Sequence, residues 1–171
     1  MEHDRIKPYE SIYFRCRKQA ALYNDKLNSR EGAAELLGCS VSSVAGYELG
    51  TTKCVPADVV VLMADLYNAP ELLNYYCKND CPIGCRKDIP TDIEPLENIT
   101  LKLLDVLSPD KLQQRMNRLT QIAVDGKVSA DEHDSMTEIV SYLNEVKKLV
   151  ETLLLFDEKR NSARESLIQE G

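Results

Sequence analysis

Three stretches of this 171-residue chain carry residue types and spacings that could do chemistry. Cys77, Cys81 and Cys85 form C-x3-C-x3-C, and on a continuous helix steps of four would set their thiolates on one face, able to share a metal. Pro82 and Gly84 predict a turn after Asp80, however, and neither a cysteine nor a histidine lies close by in sequence as a fourth ligand. The second stretch, "DGKVSADE", echoes a calcium loop but lacks the alternating oxygen ligands such a loop needs. It reads better as a turn at Asp125-Gly126, followed by a capping box of Ser129 and Glu132 at the head of a helix. The third is "AAELLGCSVSSVAGYELG", a short helix, a glycine turn and a second short helix that carries serines but no lysine or arginine. His3 and His133 are isolated, and neither a phosphate loop nor a nucleophile motif is present. The expectation is a protein that is not an enzyme, with no cofactor, no resident metal and no evident small-molecule ligand. Cys77, Cys81 and Cys85 are the only metal candidates, and Cys16, Cys39 and Cys54 read as small apolar residues in or near a core.

The elements that must position these residues read as helices throughout. Ile12, Cys16, Ala20, Tyr23 and Leu27 have the spacing of one buried helix face, which predicts a first helix over 9–27. Ser29 caps a second helix whose inward face is Ala33, Ala34 and Leu37. Gly38 sits where a helix ends in the left-handed conformation. Ser40 caps a third helix with Val44, Tyr47 and Leu49 turned inward, and Gly50 stops it. Pro56 opens a fourth helix through Tyr67, Pro70 opens a fifth, and "CPIGC" closes the domain. The sole β-branched run, 59–61, lies inside the fourth helix.

Residues 86–95, "RKDIPTDIEP", read as a linker. Three further helices follow at about 96–107, 109–123 and 129–161. In the last, Ile139, Leu143, Val146, Val150 and Leu153 recur at steps of 4, 3, 4 and 3, a heptad-like seam that can bury itself within the chain or against a second copy. The final "DEKRNSARESLIQEG" is charged and is expected to fray. The resulting division is a helical domain at 9–85, a linker at 86–95 and an acidic helical region at 96–171.

Charge is unevenly divided. The net charge is -7; residues 1–90 hold 11 Lys+Arg against 12 Asp+Glu, and residues 91–171 hold 10 against 16. A near-neutral half can bind a polyanion while the acidic half faces away, because phosphate binding depends on local positive charge. No apolar run is long enough to cross a bilayer. "MEHDRIKPYE" has no apolar core and is not a secretory signal. A cytoplasmic protein with reduced thiols is expected.

The run "SREGAAELLGCSVSSVAGYELG", with "PADVVVLMADLY" after it, resembles the helix-turn-helix of the lambda-repressor and Cro type, the XRE family, over roughly residues 11–70. The likeness rests on Ala34 as the small residue that lets two helices cross closely, Gly38 in the turn, Ser40 as cap, and Tyr47, Glu48 and Gly50 in the "YE-x-G" ending. It implies an all-α fold: a five-helix lambda-repressor-like DNA-binding domain, followed here by a helical hairpin or coiled-coil-like tail. It also implies that the second motif helix enters the major groove of double-stranded DNA. Its outward positions are then Val41, Ser42, Ser43, Ala45 and Gly46. Serine can bond several base edges and valine or alanine can touch a thymine methyl. Arg30 stands where the family usually has glutamine; it and Lys53 are the favoured phosphate-facing candidates, with Arg15, Arg17, Lys18 and Lys26 as further backbone-anchoring candidates, of which Arg15, Arg17 and Lys18 read rather as solvated surface charges. So small a reading helix implies two half-sites and a homodimer through the C-terminal helices. A narrower likeness, to short bacterial regulators often associated with mobile elements, extends into the tail through "VDGKVSADE". The expected function is a cytoplasmic bacterial transcriptional regulator. Two alternatives stand beside it: a non-enzymatic interaction module that kept the fold, and a cysteine-based metal or redox sensor.

Overall fold

The computed structural model describes the backbone of residues 11–124 and 126–169 and the side chains of those residues up to 163. Every regular element among them is helical, so the all-α expectation holds: α1 (Ile12–Ala20), α2 (Arg30–Leu37), α3 (Val41–Glu48), α4 (Ala57–Leu66), α5 (Glu71–Asn79), α6 (Leu96–Val106), α7 (Pro109–Ala123) and α8 (His133–Gln169), with short 3-10 turns at Asp25–Asn28 and Gly84–Arg86. No helix among the described residues is long and apolar enough to cross a membrane. The described residues pack as two units: those up to Thr91 together with those from Asp157 onward, and those between Asp92 and Phe156.

The first unit buries a core around Leu27, Ala33, Val44, Ala69 and Leu72, all fully inaccessible. Its first helix departs from the sequence pattern. The start expected at Tyr9 lies outside the described residues, and α1 ends at Ala20 instead of continuing to Leu27. The Asn24 side chain accepts the Lys26 N–H at 3.1 Å and opens the 3-10 turn that carries Leu27, the kind of local bond by which asparagine competes with helix. Leu27 is buried as expected, but Tyr23, on the turn between, is 74% exposed. Leu49 is only half-buried. Arg17, read as a surface charge, is 2% exposed.

The C-terminal stretch of α8 also departs from expectation. It is helical through Gln169, and Lys159 is packed into the first unit. Its Nζ donates to the Asn68 carbonyl at 2.6 Å and to the Glu71 carboxylate at 2.9 and 3.3 Å. Asn68 has φ +51°, a left-handed conformation that asparagine tolerates better than most residues. Glu71 in turn accepts the Cys16 thiol at 3.7 Å.

In the second unit α7 runs antiparallel to α8, since Arg115 stacks 4.3 Å over the Tyr142 ring while Arg118 donates back to Ser135 at 3.0 Å. Val106, Tyr142 and Leu149 form the packed centre, with Leu103 and Val146 against it. Tyr142 donates its hydroxyl to the Val106 carbonyl at the end of α6 (2.8 Å), and Leu103, a turn earlier, joins the cluster that runs on to Leu149. So α6 is antiparallel to α8 as well. The heptad seam is correspondingly rotated. Ile139, Tyr142 and Leu149 are buried, whereas Leu143 and Val150 are each 42% exposed. Tyr142 decides the rotation: its ring meets Arg115 and its hydroxyl meets a free helix-end carbonyl, so turning it inward satisfies both its apolar body and its polar tip. At the other end of the loop, the Glu132 carboxylate accepts the Ser129 N–H at 3.0 Å and the Ser129 hydroxyl. The pair forms one turn ahead of the helix start, with the hydroxyl donating to the carboxylate and not capping an amide; Asp125, expected in the preceding turn, lies outside the described residues.

Candidate nucleic-acid interface

The α2–turn–α3 pair is built as its local sequence requires. Ser29 Oγ accepts the Gly32 N–H at 3.0 Å and heads α2. Gly38 closes α2 at φ +65°, and Ser40 Oγ heads α3 by accepting the Ser43 N–H at 3.0 Å. Ala33 and Ala34 are buried, which lets the helices cross at the short distance small side chains allow. Gly32 is pinned by an equally close approach: a Cβ there would lie 2.0 Å from the Lys26 carbonyl oxygen.

Of the expected outward positions on α3, Val41 and Ser42 are exposed, and Ser43 and Ala45 are half-exposed. The Ser40 hydroxyl lies 2.8 Å from both the Ser42 and Ser43 hydroxyls, so the head of α3 carries three linked hydroxyls. A hydroxyl has one proton and two acceptor sites, which leaves this group capacity for a further partner. Gly46 has another place. Thr51 and Thr52 donate their N–H groups to its carbonyl, and a Cβ would meet Thr52 Oγ1 at 2.6 Å, so the glycine lets the 51–52 loop fold back on α3. Gly50, at φ +66°, ends the helix. Tyr47 and Glu48 face the core at 9% and 1% exposure.

Glu48 is the residue whose role the sequence did not reveal. Its carboxylate receives Arg17 Nε at 2.5 Å and Nη2 at 3.1 Å, and Arg30 Nε at 2.7 Å. Arg17 Nη1 also donates to the Leu27 carbonyl at 2.8 Å. This one carboxylate thereby joins α1, the head of α2 and the end of α3. Two guanidinium groups against one carboxylate leave a net positive charge, and with Arg17 enclosed only Arg30, whose side chain is 32% exposed, brings it to the surface. Planar guanidinium forks suit such a buried, multiply bonded site better than an ammonium would. The one sequence signal was the "YE-x-G" ending itself: a glutamate among the apolar residues of a core-facing helix needs a cation.

The remaining cations are divided. Lys53 is exposed just past α3, and Arg15 is exposed on α1. Lys18 donates to the Asn28 carbonyl at 2.8 Å, and Lys26 pairs with Glu35 at 3.0 Å.

The cysteines do not converge. Cys77 lies on α5, Cys81 in the following turn and Cys85 in the short 3-10 segment, and no group of three or more His, Cys, Asp or Glu among the described residues could hold a metal ion. Backbone N–H groups of Gly84 and Ile83 directed at Cys81 Sγ hold that thiol below its ordinary range. Burial, with the Glu71 carboxylate beside it, pushes the Cys16 thiol up to about 12 and keeps it protonated.

No protein-family model matches the chain. Neither the curated proteins nor the solved structures compared with it contain a match. Any functional reading therefore rests on the residues themselves.

Proposed function

We propose that the chain is a sequence-specific, DNA-binding transcriptional regulator of the repressor type, with α1–α5 arranged as in the lambda-repressor and Cro class and α3 laid in the major groove of double-stranded DNA. The observation that carries this reading is the head of α3. A capped helix presents Ser42 and Val41 outward, with Ser43 and Ala45 half-exposed behind them, flanked by the part-exposed guanidinium of Arg30 and the exposed ammonium of Lys53. Hydroxyl and methyl groups read base edges, and the two cations hold phosphates. The near-neutral charge of residues 1–90 is no obstacle, since Glu48 is enclosed and leaves Arg30 at the surface. The regulator works in the cytoplasm as a homodimer, without catalysis.

Selection of bound fragments from a random duplex pool, followed by fluorescence anisotropy across salt concentrations, tests the proposal. Lys53→Glu and Arg30→Gln should weaken binding at every sequence, each lowering the salt slope by about one phosphate contact. Ser42→Ala should change the preferred base, with discrimination of about 1–3 kcal/mol at that position. A chain that neither enriches a sequence nor binds duplex DNA in low salt would instead be an interaction module, a reading favoured by the absence of any cation on α3 itself.

A further inference from the structure

Unit two is a two-row arrangement, α8 along one side and α6 then α7 along the other, and two rows share a single seam. With about 100° per residue, the inward line of α6 passes through Ile99, Leu103 and Val106, and that of α8 through Ile139, Tyr142, Val146 and Leu149. Leu104 and Leu107 then fall to one side of the α6 line, exposed by 67% and 43%, while Leu101, also 67% exposed, points almost directly away from it. Val140, Leu143, Val150 and Leu154 fall to the same-handed side of the α8 line, exposed by 42–57%. In an antiparallel pair, offsets of the same hand lie on the same face of the pair. The opposite face carries Asn98, Lys102 and Asp105 on α6 and Ser141, Glu145 and Lys148 on α8, all exposed. The two-row unit is thus apolar on one broad face and polar on the other.

We propose that this apolar face is the seat of a second copy of the chain, the two faces meeting about a twofold axis to close a four-row helical bundle. The area fits that occupant. The six exposed aliphatic side chains offer roughly 500 Å² per copy, close to the apolar share of a standard interface of about 800 Å² per partner. The chemistry fits as well. The face offers aliphatic side chains around one ion pair, Lys147 with Glu151 at 3.4 Å, so its best complement is a surface of the same kind. An isologous pairing supplies that complement. With the two α8 helices antiparallel across the axis, Leu143 layers against the second copy's Leu154, and Lys147 comes beside the second copy's Glu151. A bilayer is a poorer occupant, since Asp92–Phe156 carries 12 acidic residues against 7 basic and would be repelled by anionic lipid.

Sedimentation velocity of the full chain over a concentration series tests this. The expected species is twice the 19.3 kDa chain, and Leu104→Gln with Leu143→Gln should raise its dissociation constant at least about 100-fold. The helical circular dichroism and the thermal transition of the monomer should be retained, because both residues are exposed. Val150→Gln with Leu154→Gln serves as an independent second variant, while Ser141→Gln with Lys148→Gln on the polar face should leave the constant within about twofold. A chain that stays monomeric, a dimer indifferent to both apolar-face variants, or one dissolved by the polar-face variant overturns the proposal. It rests on the second unit alone. A dimer that binds no duplex DNA leaves it standing and removes the regulator reading, whereas duplex binding by a persistent monomer overturns it and leaves of the regulator reading only its DNA contact.

Discussion

The two units spend similar helical material in opposite ways. In the first, short helices separated by tight turns meet from several directions, so one core is surrounded on all sides and Leu27, Val44 and Leu72 have no accessible surface. In the second, long helices lie along one another and only the residues on their common seam are enclosed; Leu101 and Leu104, in the middle of α6, remain 67% exposed. Even the charges differ in kind. The first unit encloses Arg17 and Glu48 in a multiply bonded network, whereas the ion pairs of the second, such as Lys102 with Glu94 and Lys111 with Asp105, lie near water, where such pairs contribute little. Chain length per helix decides the outcome: helices of eight to ten residues can turn around a point, and a 37-residue helix cannot. The first unit is built around an enclosed core, the second along a single seam.

The sharpest way to break this contrast is to remove the carboxylate at its centre. Glu48→Ala leaves Arg17 enclosed without its counter-charge and should cost about 3–5 kcal/mol, read as a large fall in the urea midpoint followed by circular dichroism. A loss under about 1 kcal/mol would mean the network is dispensable. Next comes a matched truncation. Leu72→Ala, at a site with no accessible surface, should cost about 2–5 kcal/mol, and Leu149→Ala, 9% exposed on the thinner seam, should fall at or below the lower end of that range. Equal losses would show the two units to be packed alike. Gly32→Ala drives a Cβ against the Lys26 carbonyl oxygen and should cost about 1–3 kcal/mol through the shift it forces, measurable in the same titration. The smallest effect sharpens the picture of the second unit. Tyr142→Phe removes only the hydroxyl that reaches the Val106 carbonyl and should cost about 0.5–1.5 kcal/mol. No loss at all would imply that the ring alone sets the rotation of α8.

The candidate interface was legible where its determinants are neighbours in sequence. Ser29 and Gly32, Gly38, and Ser40 with Ser43 are capping and turn interactions spanning four residues or fewer, and residue type decides them almost unaided. Gly46 was legible only as a small residue on an outward face. That it receives the 51–52 loop depends on where that loop returns. Arg17 was misplaced for a related reason: an arginine on an amphipathic helix reads as solvated until a buried carboxylate 31 residues away claims it.

Residue pattern alone determined that this chain is helical, where most of its helices begin and end, and which residues head α2 and α3, because those choices are settled by bonds within one or two turns. Tertiary structure decided which charges are enclosed, that Lys159 returns to Glu71 across 88 residues, and which side of α8 is turned inward. Those outcomes turn on what stands opposite a side chain in space. A heptad of near-equivalent aliphatics leaves the rotation of α8 undecided until Tyr142 finds both a cation for its ring and a carbonyl for its hydroxyl.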